Sequence, residues 1–448
     1  MIVQFIKSAC VIVEHDGIRV LCDPWLTDGI YYGSWYHYPP LKFKPEDFSD
    51  VDYIYISHVH PDHLDTEALK RLPKHIPVLI ANYKEKFVRN IISQIGFEKI
   101  IEVIAEQPLQ LSDDFRIEIL GSDFCDPTLC GRSFRCAPGT HLSSGSIDSL
   151  AVFHGGGVTV VNTNDCIYNS TKSACDYVAN KYPEIDLLLT GYAGAGPYPQ
   201  CYVYNDPSEY QQRAESKKLE FLNRCANYIG HLKPQYFLPF AGQYTLGGHL
   251  AKLNSIRGVP ELEELEDSLL PILRSRGLDS QMVLLNPGET FDVQRKVASA
   301  PYTPIDLEEK ARYIREVLEP KKYVYELEPM PETEELAEML RMAQSRLIER
   351  LRNRGLRPSL YDWKVCFPVG KDDQWLGMSM LNEGVNWLNE FEIQPPYIKI
   401  ELDPRLLKMI LQREAHFNNA EIGSHLRLLR NPDEYDVGLF VCLYYLHL

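Results

Sequence analysis

The sequence has no apolar run long enough to cross a bilayer and no stripe of basic residues. A membrane-spanning helix needs about 20 apolar residues in succession, and the first 26 residues instead alternate like strands, without the pattern of a secretory leader. Lysine and arginine (46) are outnumbered by aspartate and glutamate (62), which gives a net charge of −16. We therefore expect a soluble, cytoplasmic protein with neither a nucleic-acid nor a membrane partner.

Cysteine pairs are also missing. The chain has eleven cysteines, an odd number, and no two of them form a Cys-x-x-Cys pair. None is followed two residues later by histidine. These absences argue against a disulfide framework, a cysteine-based zinc site and a Rieske-type iron–sulfur cluster.

Strand-like and helix-like segments are mixed along the first two thirds of the chain. Short strands recur from residue 2 onward, and helical periodicity is found at 66–71, 84–95 and 207–229. This mixture predicts the α/β (α+β) class, with two sheets flanked by helices. Because 448 residues exceed one ordinary core, we expect more than one domain.

The sequence pattern changes after about residue 295, and Pro301 and Pro304 indicate a linker there. We predict a catalytic domain over residues 1–295 and a smaller C-terminal α/β domain over residues 296–448. The latter should hold a charged helix, then a strand-rich stretch, then a helical stretch at 404–430. It could serve as a cap or as a homodimer interface.

The segment Ser-His-Val-His-Pro-Asp-His at residues 57–63 carries the clearest chemical signal. It follows a predicted strand, so His58 and His60 should point the same way and share one cation. The chain turns at Pro61, which lets Asp62 and His63 face a second cation. Imidazole and carboxylate donors suit zinc, iron and manganese alike. The segment therefore predicts a two-metal site.

One segment cannot complete two coordination spheres, so further ligands are expected downstream. His141 lies in a polar loop, and Asp165 ends the next apolar strand. A carboxylate at Asp165 could bridge two cations about 3.5–4 Å apart, which makes Asp62 and Asp165 the predicted catalytic carboxylates. His249 is predicted as the remaining ligand, and Asp148 or Glu46 could add another carboxylate.

Two segments are candidates for substrate contact. The Gly/Pro-punctuated aromatic stretch at 31–38 is either a loop packed on the core or the wall of a pocket, and in the second case Trp35 and Tyr36 would touch the substrate. Arg132 and Arg135 lie near His141 and could hold a carboxylate or phosphate. The alternative for these two arginines is simple exposure to solvent.

This pattern resembles the metallo-β-lactamase superfamily over residues 1 to about 290. The matching positions are His58, His60, Asp62 and His63 in the core motif, His141 in the next motif, and Asp165 as the bridging carboxylate. The resemblance implies an αββα sandwich with the metal site at one edge of the paired sheets.

A narrower resemblance is to the CMP-N-acetylneuraminate hydroxylase branch. It is carried by Asp-Pro-Trp-Leu at 23–26, Asn-Asp-Cys at 164–166, Pro-Phe-Ala-Gly at 239–242 and Asn-Pro-Gly at 286–288, and it also matches His249. Ala241 stands where superfamily hydrolases place a metal-binding histidine. The resemblance implies a non-haem diiron centre that activates oxygen, without the Rieske domain of the hydroxylase.

Two functions are compatible with these residues. The first is a diiron oxygenase that hydroxylates or N-oxygenates a small polar substrate of the amino-acid or nucleotide-sugar class, as in natural-product biosynthesis. It would take O2 as co-substrate and draw electrons from an external donor. The second is a dizinc hydrolase of an ester, thioester, lactone or phosphodiester, in which the metals activate water.

Overall fold

The computed structural model describes residues 1–83, 86–121, 148–353, 361–369, 374–382 and 384–448. Two large sheets face each other in its first part. The strands of the first sheet are, in spatial order, Val297–Ala298, Thr290–Asp292, Ile2–Lys7, Cys10–His15, Ile18–Cys22, Tyr53–Tyr55, Val78–Ala81 and Ile100–Val103. The strands of the second sheet are Gln281–Met282, Tyr236–Phe240, Leu187–Gly191, Val158–Asn162, Ser149–Gly155, Phe115–Gly121 and Leu109–Ser112.

Helices cover the outer faces of both sheets, which produces four layers. The described helices of this part are Thr66–Arg71, Phe87–Ile95, Lys172–Lys181, Ser208–Leu232 and Leu265–Ser275. The first four residues of strand Cys10–His15 are apolar because both faces of the strand are covered. Val11 and Val13 pack between the sheets, and Ile12 packs under the helices. This αββα sandwich agrees with the fold predicted from the sequence.

A third sheet lies in the C-terminal part, with strands in the order Val385–Leu388, Trp375–Ser379, Lys364–Phe367, Tyr397–Glu401 and Arg427–Asn431. The helices here are Leu307–Tyr313, which continues as a π-turn over Ile314–Leu318, and Thr333–Asn353, Pro404–Leu411, Phe417–Ile422 and Val437–Tyr444. The separate sheet is consistent with a C-terminal α/β unit. Strand Val297–Ala298, however, pairs with the first sheet, just beyond the predicted boundary at residue 295.

The predicted helical stretch at 404–430 is wrong over its last residues. Arg427–Asn431 forms a strand that pairs antiparallel with Tyr397–Glu401. The cause is an alternation of period two, because Leu426 and Leu428 are buried while Arg427 between them is exposed. Alternation of this kind favours a strand over a helix.

The aromatic segment at 31–38 is packed on the core, which agrees with the first of the two interpretations of its sequence. Tyr31 and Tyr32 have left-handed backbone angles (φ 50° and 60°), so the turn Ile30–Gly33 is not a regular helix. Trp35 is 2% exposed and stacks on Tyr244 with ring centroids 3.6 Å apart. The same core cluster includes many residues of the C-terminal part. The segment therefore joins the sandwich to the third sheet.

Lys7 anchors this segment from within the first sheet. Its Nζ donates to the carbonyl of Tyr38 at 2.7 Å and to Oε1 of Gln243 at 3.3 Å. The side chain is buried, and desolvation, reinforced by the charge of Lys310, lowers the pKa of Lys7 from 10.5 to about 7. The unfolded chain therefore binds more protons than the folded one between these two pKa values.

The pKa of Lys7 predicts that the free energy of unfolding rises with pH between about 7 and 10.5. The free energy of unfolding reaches its full value above pH 10.5, where Lys7 is neutral in both states, and this gain is lost as the pH falls to 7. The change due to this group should be on the order of 4 kcal/mol. Urea unfolding at pH 7 and pH 10 measures it, and Lys7→Met should show a smaller rise than the exposed-site control Lys99→Met. Equal slopes in the two variants would contradict the assignment.

Candidate metal centre

The His-rich segment leaves the end of strand Tyr53–Tyr55, in the interior of the first sheet. Asp65 fixes the exit of this segment: its carboxylate caps helix Thr66–Arg71 and also accepts hydrogen bonds from Leu26 and Thr27. A carboxylate at the N-terminus of a helix is favourable because it accepts from otherwise unpaired backbone N–H groups. The ligand segment is thus held between a strand end and a capped helix.

The structure brings the predicted ligands together in two groups of donor atoms. Within each group the ligand atoms all lie within 4.8 Å of one another. One group is His58, His60 and Asp148, and the other is His58, His63 and Asp165. Asp62 lies beside the second group, with Oδ2 3.5 Å from Nε2 of His63. Each group therefore offers two imidazoles and one carboxylate.

Each of the three histidines has one ring nitrogen fixed by an outer partner. Ser57 Oγ donates to Asp23 at 2.7 Å, so at the 2.9 Å contact the Nδ1–H of His58 donates to Ser57 Oγ. His63 Nδ1 donates to the Asp23 carboxylate at 2.8 Å, and His60 Nε2 donates to Oδ1 of Asn418 at 2.9 Å. Such partners set the tautomer of a metal-binding histidine.

The inner nitrogens of these rings then carry lone pairs that face the cluster. Nε2 of His58 and Nδ1 of His60 lie 2.9 Å apart, although both ring protons have been assigned to outer partners. Two lone pairs at this distance repel each other unless a cation accepts both. The donor set therefore fits a metal ion, and imidazole with carboxylate suits iron or zinc.

The electrostatics of the cluster also favour a cation. Burial opposes protonation of His63, but Asp165, Asp23 and Asp62 outweigh it and raise its pKa well above the usual range. Burial raises the pKa of Asp148 to about 6. The carboxylates thus attract a proton to His63, and a metal ion would compete with it. Metal affinity should fall as the pH is lowered.

Two further side chains contact or influence the cluster. The hydroxyl of Tyr31 donates to Oδ1 of Asp62 at 2.5 Å, and both groups are buried. Arg224, on helix Ser208–Leu232, donates to the carbonyl of Ala193 at 2.6 Å. Burial and the neighbouring histidines have the larger effects on the pKa values of Asp148 and Asp165. The positive charge of Arg224 has a smaller effect and lowers both pKa values. Neither residue was identified from the sequence.

The remaining predicted residues lie in different places. The structure does not bring His249 into either donor group: its side chain is exposed and packs edge-on against Tyr323 at 4.7 Å. Trp35 and Tyr36 are in the core, so Tyr31 is the residue of the aromatic segment that reaches the cluster. Substrate contact by Trp35 and Tyr36 stays a prediction. His141, Arg132 and Arg135 lie outside the described residues.

The structure distinguishes between Asp148 and Glu46, the two candidates from the sequence for an additional carboxylate ligand. Asp148 immediately precedes strand Ser149–Gly155 and joins the group of His58 and His60. Glu46 instead forms an exposed ion pair with Arg71, at 2.6 Å. Asp148 is therefore the candidate for the additional ligand.

The model of the β-lactamase superfamily domain matches residues 2–120, which include the whole His-rich segment. The matched residues thus resemble a β-lactamase superfamily domain, and the sandwich topology agrees with the fold that the sequence predicted. Among the described residues, no helix has both the length and the apolar character needed to cross a membrane.

Curated relatives match a larger part of the chain. A Mycolicibacterium smegmatis protein named as a Rieske 2Fe-2S iron–sulfur protein is 28% identical over 327 residues, 70% of this chain and 59% of the relative. The cytidine monophosphate-N-acetylneuraminic acid hydroxylase of Danio rerio is 25% identical over 283 residues, 58% of this chain and 42% of the relative. The chain thus spans less than two thirds of each relative, and the narrower resemblance is confirmed.

Solved structures of the fold include enzymes with different chemistry. CmlA, a diiron β-hydroxylase from Streptomyces venezuelae, is 17% identical with a TM-score of 0.42 over 65% of this chain and 53% of its own. The isothiocyanate hydrolase from Delia radicum gut bacteria is 16% identical with a TM-score of 0.43 over 65% of this chain and 99% of its own. Scores this low do not distinguish between the two chemistries.

Proposed function

We propose that this protein is a metal-dependent oxygenase that uses two iron ions and O2 to hydroxylate or N-oxygenate a small polar substrate. The observation that carries the proposal is the composition of the cluster: two donor groups that share His58 and together hold three imidazoles and the carboxylates of Asp148 and Asp165. Two histidines and one carboxylate with open positions are typical of non-haem iron oxygenases. A third nearby carboxylate, Asp62, adds to the hard oxygen donors.

In the proposed ligand set, His58, His60 and Asp148 hold one ion, and Asp62 and His63 hold the other. Asp165 shares a donor group with His58 and His63, its Oδ2 lies 3.5 Å from Nε2 of His63, and it is the proposed shared carboxylate. His141 is proposed as a further ligand on the basis of its sequence motif alone. His249 is left out of the set because it lies apart from both groups.

The surrounding residues have definable tasks in this site. Bound iron would supply the capacity to reduce O2 and to transfer one oxygen atom to the substrate. The Tyr31 hydroxyl orients Asp62 and occupies one of its oxygens, which leaves Oδ2 directed at the cluster. Because Tyr31 is itself buried, it also excludes water from that side.

The relatives support the choice of oxygenation and of an external electron donor. One is named as a hydroxylase of a nucleotide sugar and another as an iron–sulfur protein. A monooxygenation reduces the second oxygen atom to water, which takes two electrons that the substrate does not lose. We propose that an external reductase or reductant delivers them, in keeping with the iron–sulfur name of one relative.

The test is anaerobic loading of the metal-free protein with ferrous iron, followed by mixing with oxygenated buffer in a stopped-flow spectrophotometer. We expect fast oxidation, with a decay that accelerates in the presence of one amino acid or nucleotide sugar. Asp148→Asn should slow the oxidation about 10-fold or more, as loss of a group that tunes a metal site does. The matched control is Glu46→Gln, which removes an exposed carboxylate that is paired with Arg71 and should react like the parent.

Slow oxidation with no dependence on any candidate substrate would contradict the oxygenase. In that case the zinc-loaded protein should be assayed with esters, thioesters, lactones and phosphodiesters. The same imidazole and carboxylate donors hold zinc well, so hydrolysis that Asp148→Asn weakens would establish the alternative function.

A further inference from the structure

A residue near the end of the chain contacts one of the candidate metal ligands. Oδ1 of Asn418 lies 2.9 Å from Nε2 of His60, a contact between positions 358 residues apart. Asn418 belongs to helix Phe417–Ile422, in the C-terminal part of the fold. This contact joins the C-terminal part directly to the metal centre.

The chemistry of the contact fixes the proton on His60. A carbonyl oxygen only accepts hydrogen bonds, so Nε2 of His60 must carry the proton. The lone pair is then on Nδ1, the nitrogen that faces Nε2 of His58 at 2.9 Å. The opposite tautomer would present an N–H group to the metal and could not bind it.

Glu421 lies near the Asn418 amide on the same helix. Its carboxyl group accepts a hydrogen bond from Tyr444 at 2.7 Å and is only 4% exposed. An ionised carboxylate accepts only from the NH2 end of an amide, so in this position it favours the orientation in which the oxygen end faces His60.

The helix that carries Asn418 is tied to the aromatic segment on the other side of the site. The backbone N–H of His416 donates to the hydroxyl of Tyr32 at 2.6 Å. His425, just after the helix, donates from Nε2 to the carbonyl of Tyr31 at 2.8 Å. Since the Tyr31 hydroxyl bonds Asp62, the residues 416–425 brace two ligands, His60 directly and Asp62 through Tyr31.

We infer that Asn418 is a positioning residue of the metal centre, held by Glu421, and that the C-terminal part acts on the site by setting the tautomer and orientation of His60. The inference rests on the proposed metal centre but not on the choice of iron or of oxygen chemistry. It assigns a role to the C-terminal part that the sequence did not predict.

The test is the affinity of the full-length, metal-free protein for Co(II) and Zn(II), measured by competition with a chelator. Asn418→Ala should weaken one of the two binding steps about 10–100-fold, the usual effect of losing the outer partner of a metal-binding histidine. The visible absorption of the Co(II) form should change as well. Asn418→Asp retains an accepting oxygen and should restore most of the affinity. The control Asn227→Ala removes an amide whose oxygen accepts a hydrogen bond from an exposed arginine, Arg276, and it should bind like the parent.

Two results would overturn the inference: equal affinities for Asn418→Ala and the parent, or a loss that Asn418→Asp does not restore. Thermal unfolding of the metal-free variants shows whether Asn418→Ala is folded, and Glu421→Gln gives a second variant that keeps Asn418 and changes the buried group beside its amide. If the parent binds no metal at all, the proposed function itself fails. If the parent binds two ions and Asn418→Ala binds them equally well, only the positioning role fails.

Discussion

Replacing His58 by alanine is expected to remove at least one of the two bound ions and, with it, the metal-dependent activity. His58 is fully buried and is the one residue present in both donor groups. Its loss removes a direct donor, so the affinity should fall by more than the roughly 100-fold that loss of an outer partner can cost. The measurement is the metal content per chain after reconstitution and gel filtration, which should fall from two ions to one or none.

The control for this variant is His154→Ala. His154 lies at the far end of strand Ser149–Gly155, where its Nδ1 contacts the hydroxyl of Thr159 at 3.0 Å. It should keep the full metal content. Two ions per chain in His58→Ala, bound as tightly as in the parent, would contradict the whole assignment of the site.

Replacing Asp23 by alanine is expected to cost both stability and metal affinity. Asp23 is fully buried and accepts hydrogen bonds from the backbone N–H and hydroxyl of Ser57 and from Nδ1 of His63. Removing one partner of a buried charged pair costs about 3–5 kcal/mol. Urea unfolding of the metal-free variant should show this loss, and chelator competition should show a 10–100-fold weaker affinity.

Two control variants show how much of the lost stability comes from removing the buried carboxylate itself. Asp23 has a left-handed backbone (φ 44°), a conformation that asparagine adopts more readily than alanine. Asp23→Asn should therefore lose less stability than Asp23→Ala. Asp50→Ala removes an exposed carboxylate that pairs with Arg19 at 2.6 Å, and such surface pairs contribute at most about 1 kcal/mol. Equal losses in Asp23→Ala and Asp50→Ala would refute the role of burial.

The sequence predicts those parts of the fold that depend on local patterns. Helix Thr66–Arg71 has the bounds that helical periodicity indicates. The His-rich segment also follows from local rules, because alternate residues of an extended chain point the same way. Strand Arg427–Asn431 was missed because the helical pattern before it masked a short alternation.

The outer partners could not be predicted, because they come from remote parts of the chain. Asp23 ends one strand, Asn418 lies on a C-terminal helix, and both reach the ligands only when the sheets and the C-terminal part have packed. Asp148 and Glu46 look equivalent in sequence. They are distinguished by the pairing of strand Ser149–Gly155 with Phe115–Gly121, which brings residue 148 to the edge where the histidines lie.

The contact between His60 and Asn418 also bears on the order in which the chain folds and binds metal during its synthesis. Domains usually fold as the ribosome releases them, beginning with the N-terminal ones. Here His60 emerges 358 residues before the amide that sets its proton. A nascent chain therefore holds the candidate ligands without the partner that fixes the proton of His60 until residue 418 is free to dock. If Asn418 positions His60 as we infer, tight metal binding becomes one of the last steps of maturation.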